Sequence, residues 1–210
     1  ASNTLIGANS GHNTDTAYGI TSSGFNTAVG FETLGASSAD VITTDGYNTV
    51  MGYRAGYEIQ EGGIDNTLIG SSAGLNITTG DDNVCIGKDA GDTIGTGNTN
   101  ICIGDESDCA AGVNSQIAIG SQATATATGA IAIGVSAANS AANTVVLGNS
   151  SCTDVYMSQD SGATVHCTSV TVKETTTPSA LADHGKIYTK NDNKLYFQDG
   201  AGTEHEISFA

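Results

Sequence analysis

A short apolar segment that ends in glycine occurs nine times in the first 150 residues of this chain. A typical copy is Asn66-Thr-Leu-Ile-Gly70. The nine glycines are Gly7, Gly30, Gly52, Gly70, Gly87, Gly104, Gly120, Gly134 and Gly148. Successive glycines lie 23, 22, 18, 17, 17, 16, 14 and 14 residues apart, so the insertions become shorter along the chain. A repeat limits the fold strongly, because each unit has to be built in the same way and stack on the next.

The repeat unit is too short for a pair of helices and carries no stripe of apolar residues at a 3.6-residue period. The β-branched residues before each glycine favour an extended strand, and the glycine supplies a turn. A unit of 14 residues has room for two short strands and two turns. The sequence therefore predicts an all-β solenoid of about nine coils, roughly 40 Å long at the usual spacing between strands.

The three residues before each glycine point alternately to the two faces of the strand. All three are mainly apolar, which predicts that both faces are buried. One face can fill the coil, whereas the other needs cover from outside, so we expect sister copies of the chain to supply it. We assign the middle position to this subunit interface: Leu5, Ala28, Val50, Leu68, Cys85, Cys102, Ala118, Ala132 and Val146.

Two further columns recur in the repeat. The third residue after each glycine is small, which fits a narrow coil interior: Ser10, Thr33, Ala55, Ala73, Ala90, Ser107, Ala123, Ala137 and Ser151. Asparagine stands four residues before the glycine in six copies: Asn3, Asn26, Asn48, Asn66, Asn83 and Asn100. Amide side chains in one register can hydrogen-bond along a stack, so we predict an Asn ladder at one corner of the coil.

The charge balance limits the partners of the chain. It has 22 Asp and Glu against 6 Lys and Arg, a formal net charge of −16 at pH 7. Such a surface repels phosphate backbones, so we expect no binding to nucleic acid. No apolar run reaches about 18 residues, and we expect no insertion into a membrane. Since no basic and then apolar leader stands at the start, we expect a processed or excerpted segment, or a chain without a signal peptide.

The sequence changes character after the ninth glycine. We divide the chain into a repeat domain at 1–150, a β-rich connecting segment at 151–178 and a C-terminal module at 179–210. The module alternates polar and apolar residues around two good turn sequences, which predicts three strands in a meander. The predicted strands cover residues 186–190, 194–198 and 203–209.

No motif for catalysis is present: we find neither G-x-S-x-G, nor a Walker loop, nor H-E-x-x-H. We expect no enzymatic activity and no cofactor. The histidines lack the spacing of metal ligands and are interpreted as surface residues: His12, His166, His184 and His205. Acidic clusters offer oxygen ligands to Ca²⁺, although a solvated edge is the favoured interpretation. These clusters are Asp81-Asp82, Asp89 with Asp92, and Asp105-Glu106-Ser107-Asp108.

The five cysteines leave the disulfide state open. Cys85 and Cys102 occupy the same column of adjacent coils, where buried thiols are favoured over a disulfide. Cys152 and Cys167 are an alternative pair, which leaves Cys109 without a partner. An odd count without C-x-x-C suits assembly in a reducing cytoplasm better than a secreted domain held by disulfides.

The insertions in the first coils carry aromatic and basic residues. Loops on a rigid solenoid are common places for binding, and aromatic rings suit contact with sugars or proteins. The equal alternative is that they pack between subunits or shield the end of the solenoid. The receptor-binding candidates are His12, Tyr18, Phe25, Tyr47, Tyr53, Arg54 and Tyr57.

The repeat resembles two groups of surface proteins. Gln116-Ile-Ala-Ile-Gly120 and Ala130-Ile-Ala-Ile-Gly134 are similar to the head repeat of trimeric autotransporter adhesins of the YadA-like type. Asn26-Thr-Ala-Val-Gly30 with Phe31 is closer to repeats of tail-fibre proteins of marine bacteriophages, and Gly185 onward is similar to a short β module near the ends of viral fibre proteins. The resemblance implies a left-handed parallel β-roll, a homotrimer and attachment to a surface.

We therefore expect a structural virion fibre, displayed on the virion surface, that contacts a host glycan or protein. One alternative is the head domain of a bacterial trimeric adhesin at the cell surface, although the coiled-coil stalk and outer-membrane anchor of that family are absent from these 210 residues. Another is a structural subunit of an extracellular filament, whose chains would stack end to end.

Overall fold

The fold is taken from a computed structural model of the 210-residue chain. The structure describes residues 2–11, 24–35, 46–60, 62–152, 155, 186–190, 192 and 194–207. Within these residues there are strands and turns and no helix, so the predicted all-β class is confirmed for this part of the chain. The chain divides into two compact units, Ala1–Val155 and Tyr156–Ala210.

Twelve short strands form two parallel sheets in the first unit. In chain order they are β1 (Thr4–Ile6), β2 (Thr27–Val29), β3 (Thr49–Met51), β4 (Thr67–Ile69), β5 (Val84–Ile86), β6 (Ile101–Ile103), β7 (Asp108–Cys109), β8 (Ile117–Ile119), β9 (Thr124–Ala125), β10 (Ile131–Ile133), β11 (Ala138–Asn139) and β12 (Val145–Leu147). The nine three-residue strands join in the order β1-β2-β3-β4-β5-β6-β8-β10-β12, each in register with the next repeat. The two-residue strands β7, β9 and β11 form the second sheet.

These sheets are walls of a parallel β-solenoid of about six turns. Between Gly52 and Gly148 the chain is described except at residue 61. The chain that leads from β1 to β2 and from β2 to β3 includes residues 12–23 and 36–45, which lie outside the described residues. Nine paired strands are therefore present, whereas nine complete coils stay a prediction.

Each repeat glycine lies at the bend after a strand of the nine-stranded sheet. Gly70 shows why no side chain fits there, since its φ of 140° is unfavourable for other residues. A Cβ at this position would lie 2.2 Å from the carbonyl oxygen of Gly87 in the next coil. The stacking of coils thus brings backbone against backbone at this corner.

The middle residue of these strands points into the coil. Seven members of the column have no exposed surface in the single chain: Ala28, Val50, Leu68, Cys85, Cys102, Ala118 and Ala132. The prediction that this column forms the subunit interface is wrong for these seven, because no surface is left for a second chain. Leu5 and Val146 lie in the two end strands, where Leu5 keeps 40% of its surface and Val146 is half-buried.

The opposite wall of the interior is made of small and medium-sized side chains. The predicted burial of the third residue after the glycine is confirmed for seven of the nine positions, whereas Ser10 is half-buried and Ser151 is exposed. The seven residues with no exposed surface are Thr33, Ala55, Ala73, Ala90, Ser107, Ala123 and Ala137. In the longer coils the interior is filled by the isoleucine seven residues after the glycine, which is Ile59, Ile77 or Ile94. In the shorter coils it is filled by a smaller residue five positions after the glycine, which is Cys109 or Ala125. The side chains become smaller as the coil becomes narrower.

The predicted Asn ladder is confirmed, and it is buried. The Oδ1 atom of Asn66 accepts a hydrogen bond from the backbone N–H of Asn83 at 3.0 Å, and Asn66 donates from Nδ2 to the carbonyl of Gly80 at 2.9 Å. The same backbone bond to Oδ1 links each pair from Asn3 to Asn100. Gln116 extends the ladder by one coil and bonds the carbonyl of Ala125 at 2.7 Å.

The second unit contains a three-stranded antiparallel sheet. Its strands are β13 (Lys186–Thr189), β14 (Leu195–Gln198) and β15 (Glu204–Glu206), paired in that order as predicted for a meander. Tyr188 stacks on Tyr196 with 5.9 Å between ring centroids. Apart from residues 151, 152 and 155, the predicted connecting segment at 151–178 lies outside the described residues.

Replacement of a ladder residue tests how much this buried polar stack stabilises the fold. Asn66→Ala removes the acceptor of the Asn83 N–H and the donor to Gly80. Because each buried group left unbonded costs about 1–3 kcal/mol, we expect the free energy of unfolding to fall by about 2–4 kcal/mol. Chemical denaturation measures this change. The control is Asn76→Ala, at an exposed position, and equal effects of the two substitutions would contradict the role given to the ladder.

Candidate functional site

The outward face of the nine-stranded sheet carries apolar side chains that its own chain leaves partly exposed. It consists of the first and third residues of each strand, which alternate with the buried middle residue. In its last four strands this face holds only aliphatic side chains, which we call the aliphatic strip: Ile101, Ile103, Ile117, Ile119, Ile131, Ile133, Val145 and Leu147. In-register pairing places these side chains in two continuous rows.

The strip is incompletely covered by its own chain. Ile133, Val145 and Leu147 expose 40%, 58% and 46% of their surface, and the other members are half-buried. Rows of branched aliphatic side chains exposed to water are unusual on a protein surface and favour a partner. The apolar face that its own chain leaves partly uncovered is thus formed by the larger side chains on either side of the assigned column, and not by that column.

The other end of this face is aromatic. Phe25 stacks on Tyr47 with 5.4 Å between centroids, and Phe31 stacks on Tyr53 with 5.8 Å between centroids. All four rings are exposed, and we call them the aromatic end. Each stack joins two residues at the same position of consecutive repeats. Phe25 and Tyr47 directly precede the ladder asparagine, and Phe31 and Tyr53 directly follow the repeat glycine. This is a ready surface for a flat, apolar partner such as the face of a sugar ring.

The receptor-binding candidates do not all reach this surface. Phe25, Tyr47 and Tyr53 belong to the aromatic end, whereas His12 and Tyr18 lie outside the described residues. Tyr57 is only 5% exposed, so its assignment as a direct receptor contact is wrong.

Arg54 is held within its own chain. Its guanidinium lies 4.1 Å from the centroid of the Tyr57 ring, and its Nε lies 3.2 Å from Glu32 Oε2. Hydrogen bonding to Tyr57 raises the pKa of Arg54, so the guanidinium stays charged. This intramolecular pairing makes Arg54 a support for the aromatic end rather than an unpaired cation.

Phe31 was missed by the sequence reasoning about binding. The sequence contains the pattern that indicates this stack, because Phe31 and Tyr53 each follow a repeat glycine directly. In a solenoid, residues at the same repeat position become neighbours in space, whatever their separation along the chain. Comparison of columns, rather than inspection of insertions, identifies the stack.

An acidic group lies beside the second sheet. Burial raises the pKa of Asp92, and the negative charges of Asp108 and Asp89 raise it further. Burial also raises the pKa of Asp108, although its carboxylate accepts hydrogen bonds from Thr93 Oγ1 at 2.7 Å and the Cys109 N–H at 2.9 Å. In the described ranges no three His, Cys, Asp or Glu side chains are arranged to hold a metal ion, which includes the acidic clusters considered for Ca²⁺.

The other predicted groups are dispersed. His205 is exposed, 3.5 Å from Asp199 Oδ2, while the other three histidines lie outside the described residues. Cys85, Cys102 and Cys109 are buried and carry free thiols, Cys152 is exposed, and Cys167 lies outside the described residues. The structure therefore brings together two surfaces on one face and no cluster of catalytic side chains within the part of the chain that it describes.

Comparison with known proteins gives no relative. No protein-family model matches the chain, and no curated protein matches its sequence significantly. Among the described residues there is also no helix with the length and apolarity needed to span a membrane.

The acidic group predicts a dependence of stability on pH. Because the pKa of Asp92 is raised in the folded state from its ordinary 3.8, the folded protein binds this proton more tightly than the unfolded one. The stabilisation that Asp92 contributes is fully present below pH 3.8, and it is lost as the pH rises through the pKa of Asp92 in the folded state. We therefore expect Asp92→Asn to stabilise the protein relative to wild type more at pH 7 than at pH 4. Thermal unfolding across this range measures it, and the exposed Asp82→Asn is the control. Parallel pH profiles for wild type and Asp92→Asn would contradict the expectation.

Proposed function

We propose that this chain is the subunit of a homotrimeric, tail-fibre-like protein of a virion surface that attaches to a host surface by multivalent display. In this proposal the solenoid is a left-handed β-roll of nine coils, as its resemblance to viral fibres and adhesin heads implies. The observation that carries the proposal is the outward sheet face, whose aliphatic strip stays partly exposed in the single chain.

The aliphatic strip is the proposed subunit interface. Its branched side chains project from a rigid sheet, so they are fixed in position before any partner arrives. Full burial of an Ile or Leu side chain contributes about 1.5–3 kcal/mol, and two continuous rows supply several such side chains per subunit. Three thin solenoids that meet through this face would cover it without a second layer from each chain.

The aromatic end is the proposed contact with the host. Rings in two stacked pairs offer flat apolar faces, and the threonines between them, Thr27 and Thr49, are exposed and carry hydroxyl groups. Such a surface suits a glycan or a protein loop. Three copies on one fibre raise the effective concentration of weak contacts at a surface, and no catalytic residue is needed.

One alternative has a structural observation in its favour. The nine-stranded sheet ends at β1 and β12, whose outer edges have no neighbouring strand in the described chain, and Leu5 in β1 keeps 40% of its surface exposed. Open edges of this kind can pair end to end, which would give a structural filament. The head of a bacterial trimeric adhesin is the other alternative and shares the proposed trimer.

The mass of the protein in solution tests the assembly. For a subunit of 21.0 kDa we expect about 63 kDa, three times that mass, by light scattering. Ile119→Glu with Ile133→Glu should yield monomers with an unchanged β circular dichroism spectrum, because a charge cannot be buried in an apolar interface. Thr126→Glu, at an exposed position outside the strip, is the control.

Two outcomes would contradict this assembly. Monomeric wild-type protein would remove the basis for a trimer, and a trimer that persists in the double variant would place the interface elsewhere. Open-ended polymers of wild type would favour the filament.

Binding to an array of purified glycans tests the aromatic end. We expect Phe31→Ala with Tyr53→Ala to weaken binding of the trimer at least about fivefold, since two stacked rings contribute roughly 1–3 kcal/mol together. Phe197→Ala removes an exposed ring from the C-terminal unit and serves as the control. Undiminished binding by the double variant, in protein that remains trimeric, would show that the aromatic end is not the contact.

A further inference from the structure

Two thiols face each other across the interior of one coil. Cys102 is the middle residue of β6 in the nine-stranded sheet, and Cys109 is the last residue of β7 in the opposite wall. Their side chains have 0% and 1% exposed surface. The two Sγ atoms lie 2.9 Å apart, closer than unbonded sulfur atoms normally approach. A disulfide bond measures about 2.05 Å, so bond formation needs a movement of less than an ångström.

The equivalent positions in the next coil show which side chains fill a narrow interior when no cysteine is present. There Ala118 stands in place of Cys102, and Ala125 stands in place of Cys109. Both alanines are fully buried, so the narrow interior is closed by methyl groups alone. In the coil with the two cysteines, the thiols instead meet each other, and Cys109 Sγ has only a long contact of 3.9 Å to the carbonyl of Ile101. Filling of space does not account for two sulfur atoms in contact.

We propose that Cys102 and Cys109 form a disulfide that ties the two walls of the solenoid together within one coil. The bond lies in the coil that contains β7, the first strand of the second sheet. This coil stands between the wide coils filled by isoleucine and the narrow coils filled by alanine. This inference does not depend on the proposed attachment function. It differs from the sequence-based expectation, in which Cys109 had no partner.

A small-molecule disulfide such as oxidised glutathione is the oxidant in this proposal. The thiolate of one cysteine attacks the small disulfide, forms a mixed disulfide and releases one glutathione. The second cysteine then attacks the mixed disulfide as a thiolate, so the Cys102–Cys109 bond forms and a second glutathione leaves. The two thiol protons and two electrons end on the two reduced glutathione molecules.

Cys85 is the third thiol in the neighbourhood. It pairs in register with Cys102 across β5 and β6, and it is also fully buried. Its sulfur lies beside Gly91 of its own coil, where a Cβ on the glycine would come within 2.4 Å of it. The Cys85 side chain also interacts with the Cys102 thiol. The sulfur contact of 2.9 Å joins Cys102 to Cys109, so in this proposal Cys85 is the reduced member.

The burial of the pair fixes when the bond can form. The hydrogen bond with Cys102 raises the pKa of Cys109, and burial raises it further. A buried thiol that stays protonated is a poor nucleophile. Exchange therefore takes place while the coil is open during folding, and once the coil has closed, the bond is protected from reductants.

Site-by-site alkylation tests the pairing. The full chain is refolded with a mixture of reduced and oxidised glutathione, unfolded in guanidinium without reductant and treated with iodoacetamide. We expect Cys102 and Cys109 to remain unmodified and Cys85 to be alkylated, as assigned by peptide sequencing in the mass spectrometer. No Lys or Arg separates Cys102 from Cys109, so pepsin is used for the digestion. Alkylation of both cysteines, or a bond from Cys85 to Cys102, would overturn the proposal.

A second measurement reports the effect on the fold. Reduction of the unfolded protein before refolding should lower the midpoint of thermal unfolding of wild type by at least about 5 °C. Cys102→Ala with Cys109→Ala copies the next coil, and its midpoint should not depend on reductant. Cys85→Ala is the matched control and should keep the full shift. If reduction lowers the midpoint of thermal unfolding as much in Cys102→Ala with Cys109→Ala as in wild type, the proposed bond is contradicted.

Discussion

The buried ladder of asparagine side chains is the interaction on which the solenoid depends. At each level one amide oxygen accepts the backbone N–H of the next ladder residue, so the contact sets the register between successive coils. The Nδ2 atoms of Asn48, Asn66 and Asn83 each bond a glycine carbonyl, so the chain can turn a corner inside the protein without unpaired polar groups. Described coils of 16 to 18 residues can then stack on one another, because differences in length are accommodated away from this corner.

The width of the coil decides which side chains face inward. The wide coils hold isoleucines such as Ile77 opposite the nine-stranded sheet, and the narrow coils have room only for alanine on both walls, as at Ala118 and Ala125. As the coil contracts, the branched side chains of Ile117 and Ile119 have to lie on the outside. The narrow interior thus explains why the larger side chains of these strands lie outside, where they form the aliphatic strip.

Much of the fold could be predicted from the sequence, because a repeat converts spacing into position. The strands, the Asn ladder, the buried small column and the C-terminal meander all follow from residue types at fixed offsets. In the narrow coils the inward face could not be chosen by hydrophobicity, since both faces are apolar; there side-chain volume decides it, with Ala132 inside and Ile133 outside. The partner of Cys102 was missed for a related reason. Cys109 stands five residues after its glycine, whereas the fillers of the longer coils stand seven after theirs.

The outward face is not uniform, and its two ends differ in a way that bears on the proposed fibre. Threonine fills the first position of the early strands, as in Thr27 and Thr49, while valine or isoleucine fills it from Val84 onward. Aromatic rings flank the early strands alone among the described repeats. The longest insertions belong to the same early repeats, whose glycines lie 23 and 22 residues apart. Assembly needs a flat and regular surface, whereas contact with a host needs variety, and the gradient of coil length along this chain separates the two requirements.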